Sequence, residues 1–244
     1  MTPPHLFSNR TPSVAFFLTF IHSLFSFWVL YFLPVFFQGA KLYDPTHSGV
    51  LLLPTVIILV PAGLIGGVLL SKFGRYRPIH LAAFLLVALG AGLFILLDGN
   101  STAGLSVGLQ LIGDLGSGLA LSTLLPAVQA ALEEKDTASS SATWAFIRTF
   151  GTVWGVAIPS AIFNSRCDSL ASRIDDLEIR GRIANGQCYS RATSAWVKGL
   201  DSQSQDVVIG VFSDSLQGPQ GDPQSIRVAK QFDLQASSLP IIIS

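Results

Sequence analysis

The sequence predicts an all-α integral membrane protein, and three observations carry that expectation. Half of the 244 residues are hydrophobic, only 12% are charged and the mean hydropathy is +0.54, which separates the chain from soluble domains of this length. Five apolar stretches, each at least 19 residues long, occupy residues 14–163 and are divided by short polar gaps. The charges are segregated: residues 1–164 hold 7 Lys/Arg and 6 Asp/Glu, whereas the last 80 hold 8 and 9. The first part is written for lipid and the second for water.

A hydrocarbon core about 30 Å thick takes roughly 20 helical residues at about 1.5 Å each. Open strands cannot satisfy their backbone in lipid, so each apolar stretch is read as a helix. A cytoplasmic segment, 1–13, precedes the first span, 14–37, which contains no Lys, Arg, Asp or Glu. That span is too long for the apolar region of a secretory signal, which runs about 7 to 15 residues and closes on small residues. The spans 49–70 and 79–97 are likewise free of charge. The span 105–132 carries one acid, Asp114, and the span 143–163 one base, Arg148. Prolines 34, 54, 61, 126 and 159 fall within or at the ends of these spans, where a membrane bundle tolerates kinks.

Loop charges set an orientation. The gap Ser71-Lys72-Phe73-Gly74-Arg75-Tyr76-Arg77-Pro78 has three bases and no acid, which marks it as cytoplasmic. The gaps on either side then face outward. One of them holds Asn100-Ser101-Thr102, an N-glycosylation acceptor pattern, which makes Asn100 a candidate for modification. Small residues four apart (Gly63 and Gly67, Gly104 and Gly108, Gly151 and Gly155) suit close approach of helices in lipid.

Several motifs occur in a fixed order: Tyr31-Phe32-Leu33-Pro34-Val35-Phe36-Phe37-Gln38, then Ser48-Gly49 with Pro54, then Gly66 to Arg77, then Thr143-Trp144-Ala145-Phe146-Ile147-Arg148 through to Asn164. Together they resemble the C-terminal half of a fungal drug:proton antiporter of the major facilitator superfamily, in its fourteen-helix branch. The loop around 67–77 is similar to that family's cytoplasmic motif, with Gly67, Lys72, Gly74 and Arg75 matching, Ser71 in place of the acid and Tyr76 where a second base is usual. In the family this loop governs conformational switching through ion pairs. The same three bases also serve as topology charges alone, and both readings stand at this point.

The resemblance implies a partial major-facilitator half-bundle of five transmembrane helices with an irregular C-terminal tail. It implies alternating access between two six-helix halves, with the first helix of each three-helix unit lining the pathway. Those helices would be 14–37 and 105–132, and both carry polar stripes. Thr19, His22, Ser23 and Ser26 share one helical face, as do Gln110, Asp114 and Ser117. Polar groups are costly at membrane depth, so His22, Gln110 and Asp114 either meet substrate or a translocated proton, or join an interhelical hydrogen-bond network. Arg148 lies roughly 8 Å into its span by helical rise. It either reaches back to the headgroups or pairs with Asp114 in the pathway.

Residues 164–216 read as an outer loop with short amphipathic helices, one of them over 168–182 with Leu170, Ile174 and Leu177 on its apolar stripe. Cys167 and Cys188 are the only cysteines; on the outer side they could form a disulfide, and two free thiols are the alternative. Residues 217–244 are polar, unlike the family, and expected to be disordered. The N-terminal half and a sixth span have no counterpart, so the chain is expected to be truncated at both ends. No catalytic, cofactor or metal pattern is present: Gly113-x-x-Gly116-x-Gly118 has no strand before it. The charge balance and the lack of a basic aromatic cluster exclude nucleic acid as partner. The expected partners are the lipid bilayer, a small organic substrate and a proton, and the expected location is a multi-pass protein of the plasma or vacuolar membrane. The competing class is a non-transporting membrane remnant or interaction partner.

Overall fold

The computed structural model describes residues 4–94, 101–130 and 132–216, all in helices and their connections. Residues 95–97 of the third span, the acceptor Asn100 and the tail 217–244 lie outside the described residues. Among the described residues, five helices are long and apolar enough to cross a membrane. They are α1 (Arg10–Val35), α3 (Leu53–Phe73), α4 (Tyr76–Leu93), α5 (Ala103–Gln129) and α6 (Thr137–Leu170), with a short α2 (Pro45–Val50) before α3.

Local chemistry sets the ends. Pro34 deprives α1 of an amide near its close, and the chain widens there into a π-helical turn, Phe36–Ala40, tied off where the Lys41 amide donates to the Phe36 carbonyl at 3.2 Å. Asp44 caps α2 by accepting from the His47 amide at 2.6 Å, and Thr102 caps α5 by accepting from the Leu105 amide at 3.3 Å. Gly74 ends α3 in the left-handed region, at φ 62°, and its amide donates to the Leu70 carbonyl at 2.8 Å. The expected 71–78 gap is thus almost wholly helical, and only Gly74 and Arg75 join α3 to α4. A glycine there gives the turn its shape, because a left-handed backbone strains a residue with a Cβ.

The bundle is organised around α5, which packs along α3 and α4 and crosses α1, while α1 packs along α6. The buried set of α5 is dominated by small side chains, among them Ser106, Gly116, Ser117, Gly118 and Ala120. A Cβ on Gly118 would stand 2.6 Å from the Leu59 carbonyl of α3, and one on Gly116 2.5 Å from the Ala83 carbonyl of α4. Gly151 and Gly155 of α6 face α1 in the same way, at Phe20 and Leu24. Of the other small residues expected from spacing, Gly63 also faces α5, where its Cβ would stand 3.6 Å from the Gly118 carbonyl, but Gly67, Gly104 and Gly108 face open space, and the tightest contact of α3 with α5 is at Gly66.

Large apolar side chains turn outward instead. Ile57, Leu64 and Val68 of α3, Leu81 of α4 and Phe146 of α6 are all at least 60% exposed, an arrangement that water would penalise and acyl chains accept. At one end of the bundle, Leu6, Ala15, Phe16, Ala127 and Val128 form a small core beneath the N-terminal 3-10 turn, Pro4–Phe7. That turn is held to the α5–α6 connection by a hydrogen bond from His5 Nε2 to Asp136 Oδ1, 2.9 Å long.

The opposite end is covered by a helical cap: α7 (Leu177–Ile183), α8 (Cys188–Arg191), α9 (Ser194–Lys198) and α10 (Ser202–Leu216). Its core joins Ile174, Ile183, Val197, Val208 and Phe212 to Phe32 of α1 and Phe163 of α6. A disulfide between Cys167, in the last turn of α6, and Cys188 fastens the cap to the bundle. Two readings need correction. The expected helix over 168–182 is broken: α6 ends at Leu170, a 3-10 turn occupies Ala171–Arg173, and α7 starts only after Asp176 caps it through the Glu178 and Ile179 amides. Its stripe is broken with it, since Ile174 is buried and Leu177 is 76% exposed. Asp201 starts α10, and hydrogen bonds from the Ser204 side chain and amide hold its carboxyl below the usual carboxylate range.

Two outcomes follow. Gly155→Val is expected to lower the stability of the detergent-solubilised protein by about 1 to 3 kcal/mol, as an added side chain meets the α1 backbone, while Gly108→Val leaves the melting temperature unchanged; thermal unfolding by tryptophan fluorescence reads both. Cys188→Ser, by opening a loop closed over 21 positions, is expected to cost about 3 kcal/mol and to expose α7 to α10 to limited proteolysis while α1 to α6 stay protected.

Candidate functional site within the helical bundle

The polar stripes on α1 and α5 meet different neighbours. On α1, Thr19 and Ser26 return their hydroxyls to their own helix, donating to the Ala15 and His22 carbonyls at 2.8 Å each. His22 is buried, at 6% exposure, and its Nε2 donates to the Ser117 carbonyl of α5 at 3.1 Å, with Phe84 of α4 edge-on to the ring. Ser23 turns toward α6, close to Gly151, and its hydroxyl has no hydrogen-bond partner. One predicted face therefore serves two helix pairs.

On α5, Gln110 and Asp114 turn toward α3. Thr55 Oγ1 donates to Gln110 Oε1 at 3.2 Å, and Gln110 Nε2 donates to the Ser106 carbonyl at 3.2 Å. Asp114 sits beside Thr55, 9% exposed, and its Oδ2 has no hydrogen-bond partner. The stripe one turn further on, at Ser117, supplies the carbonyl that His22 reaches. The structure thus gathers Thr55, Gln110 and Asp114 at the α3–α5 interface and His22 at the α1–α5 interface. Thr55 was absent from the sequence reading, although it is the only polar side chain between Leu51 and Leu70. An isolated hydroxyl in an otherwise apolar span is the signal that marks it.

Arg148 does not join this group. It lies exposed on α6 with its guanidinium 5.4 Å from the centre of the Trp144 ring, and the pairing with Asp114 does not form. Around the basic turn, Lys72 stands over Phe73, and Lys72, Arg75 and Arg77 make no ion pair among the described residues. Of the four loop-motif residues, Gly74 shapes the turn and Arg75 precedes the first turn of α4, whereas a side chain on Gly67 would meet nothing. No group of three His, Cys, Asp or Glu among the described residues could hold a metal ion.

The arrangement is that of a membrane helix with a buried carboxylic acid between amide and hydroxyl neighbours, one oxygen of which is available to a proton, a cation or a hydrogen-bond donor. Such a group is expensive in lipid without a role or a partner.

Comparison with known proteins agrees with this architecture. Residues 2–156 match the family described as Major Facilitator Superfamily. The chain is 49% identical over 215 residues to the MFS-type transporter gkaD of Penicillium citrinum, covering 88% of this chain and 37% of that protein. It is 46% identical to the MFS-type transporter pydD of an Acremonium species, covering 88% and 38%. It is 40% identical over 216 residues to the efflux pump FUS6 of Gibberella fujikuroi, covering 88% and 39%. The chain therefore spans well under half the length of these relatives. No solved structure matches it.

The Thr55–Gln110 contact makes a measurable prediction. In a double-mutant cycle with Thr55→Val and Gln110→Leu, the coupling energy is expected at about 0.6 kcal/mol and no more than about 1.7, the range of interhelical hydrogen bonds in membranes; unfolding in mixed detergent measures it.

Proposed function

We propose, on the premise that the chain belongs to the Major Facilitator Superfamily, that it forms the C-terminal half-bundle of a fourteen-helix carrier which exports small organic molecules by proton-coupled alternating access. Its multi-pass helices place it in a lipid bilayer, and relatives named as transporters and efflux pumps support export over catalysis. The observation that carries the reading is Asp114: a carboxyl nine-tenths buried at membrane depth, with one oxygen unpartnered, on the helix that every neighbouring span packs against.

In this reading Asp114 takes up and releases the coupling proton. Gln110 and Thr55 hold it in place and present an amide and a hydroxyl to substrate, while His22 anchors α1 to α5 through its bond to Ser117. Gly74 and Arg75 form a tight turn at the cytoplasmic end, and the bases around it act by fixing orientation, since Ser71 stands where an acid would complete an ion-paired latch. The cap and Asn100 then face the exterior of the cell or the interior of the vacuole.

Efflux decides the matter. In fungal cells loaded with a fluorescent organic dye, deletion of the locus is expected to raise retention, and its product with Asp114→Asn to restore efflux about a hundredfold less than the unaltered product, the lower end of what one positioned proton-transfer group contributes. Asp114→Glu keeps the proton-binding chemistry and most of the activity. Unchanged dye retention on deletion, together with unchanged resistance to secreted toxins, would favour the non-transporting membrane protein instead.

A further inference from the structure

The end of the bundle that carries the Gly74–Arg75 turn holds a cleft of about 480 Å³ between α1 and α4, away from the Asp114 group. Its walls change character with depth. Arg10 and Arg77 stand at its rim; Val14 and Leu18 of α1 face Leu81 and Phe84 of α4 along its length.

Two features point to an anion at the rim, and a third to a polar group of the same ligand further in. Arg10 and Arg77 make no ion pair among the described residues, so no described acid neutralises them. Arg10 opens α1 and Tyr76 opens α4, so the positive ends of two membrane-length helices arrive there together, and neither helix has an acid in its first turn or a side-chain cap. A base beside a helix N-terminus is electrostatically disfavoured until an anion sits between them. Lastly, His80 lines the cleft at 7% exposure; its ring lies against the Thr123 backbone of α5, and its Nε2 has no hydrogen-bond partner. That leaves a buried ring nitrogen without a protein partner, turned to whatever fills the cleft.

The apolar walls select among anions. A free phosphate has no use for a slot lined by Val14, Leu18, Leu81 and Phe84, and Val14 and Leu81 remain 56% and 66% exposed. An amphiphile satisfies both parts. We propose that this cleft binds an anionic phospholipid, its phosphate between Arg10 and Arg77 and one acyl chain lying along α1 and α4. A basic pocket between membrane helices at the headgroup level is suited to such a ligand. The proposal rests on the chain being embedded in a bilayer and is independent of transport, so it is tested by binding alone.

The test uses the whole chain in a neutral detergent, with lipid retention read by native mass spectrometry and by thermal shift. Phosphatidylserine is expected to stay bound and raise the melting temperature, with phosphatidylcholine about tenfold weaker, and inorganic phosphate at millimolar concentration without effect. Arg10→Gln with Arg77→Gln should abolish the preference, the Lys pair at the same positions should keep it, and Lys72→Gln, outside the cleft, should leave it intact. Equal retention of both lipids by the unaltered chain, which needs no variant to fold, overturns the proposal. So does full displacement of the lipid by inorganic phosphate, or a preference that survives in the double Gln variant.

Discussion

Lipid gives the backbone no hydrogen-bond partner and gives apolar side chains no reason to hide, so this bundle must be held by how closely its helices can approach. That constraint falls on α5. Its buried positions are mostly Gly, Ala, Ser and Thr, and at Gly116 and Gly118 the carbonyls of α4 and α3 occupy the space a side chain would need. Bulk is sent outward, to Ile57, Leu64, Leu81 and Phe146, which is the reverse of a water-soluble core. The polar residues follow from the same geometry: where backbones are close, His22 can reach a carbonyl on the neighbouring helix and Thr55 can reach Gln110.

The two ends of the bundle obey a different solvent. The cap over residues 171–216 buries Ile174, Ile183, Val197, Val208 and Phe212 in the ordinary aqueous manner, and uses Phe32 and Phe163 of the spans as its floor. Leu6 and the Pro4–Phe7 turn do something similar on a smaller scale at the other end. Each end thus turns apolar tips of the membrane helices into part of a water-facing core, which blunts the boundary between the two environments.

Much of this was legible from hydropathy and charge, because a membrane span is specified by length and by the absence of ions, both of which are written along the chain. Which face of a span meets which neighbour is not. Thr19, His22, Ser23 and Ser26 lie on one stripe, yet His22 serves α5 and Ser23 turns to α6, since in a bundle one helical face can border two partners. Spacing singled out Gly151 and Gly155, which press on α1, but also Gly67 and Gly108, which meet nothing, and it passed over Gly66 and Gly118; all are glycines in apolar surroundings, and only the crossing geometry separates them. Asp114 was visible as a lone acid, whereas its neighbour Thr55 is marked only as the one hydroxyl of its span, a fainter signal than a charge. The reading of 168–182 as one helix failed where Asp176 offered its carboxylate to the amides of a new helix, a local competition that a hydrophobic stripe does not register.

The Cys167–Cys188 crosslink carries a message about geography. Such a bond persists where glutathione and thioredoxin do not reach, which is where the orientation proposed above puts the end of α6 that bears it. The basic Gly74–Arg75 turn lies at the other end of the bundle, with the cytosolic charge bias expected of it. Sulfur redox chemistry and arginine electrostatics, which share no residue, thus both support the proposed direction of the chain across its bilayer.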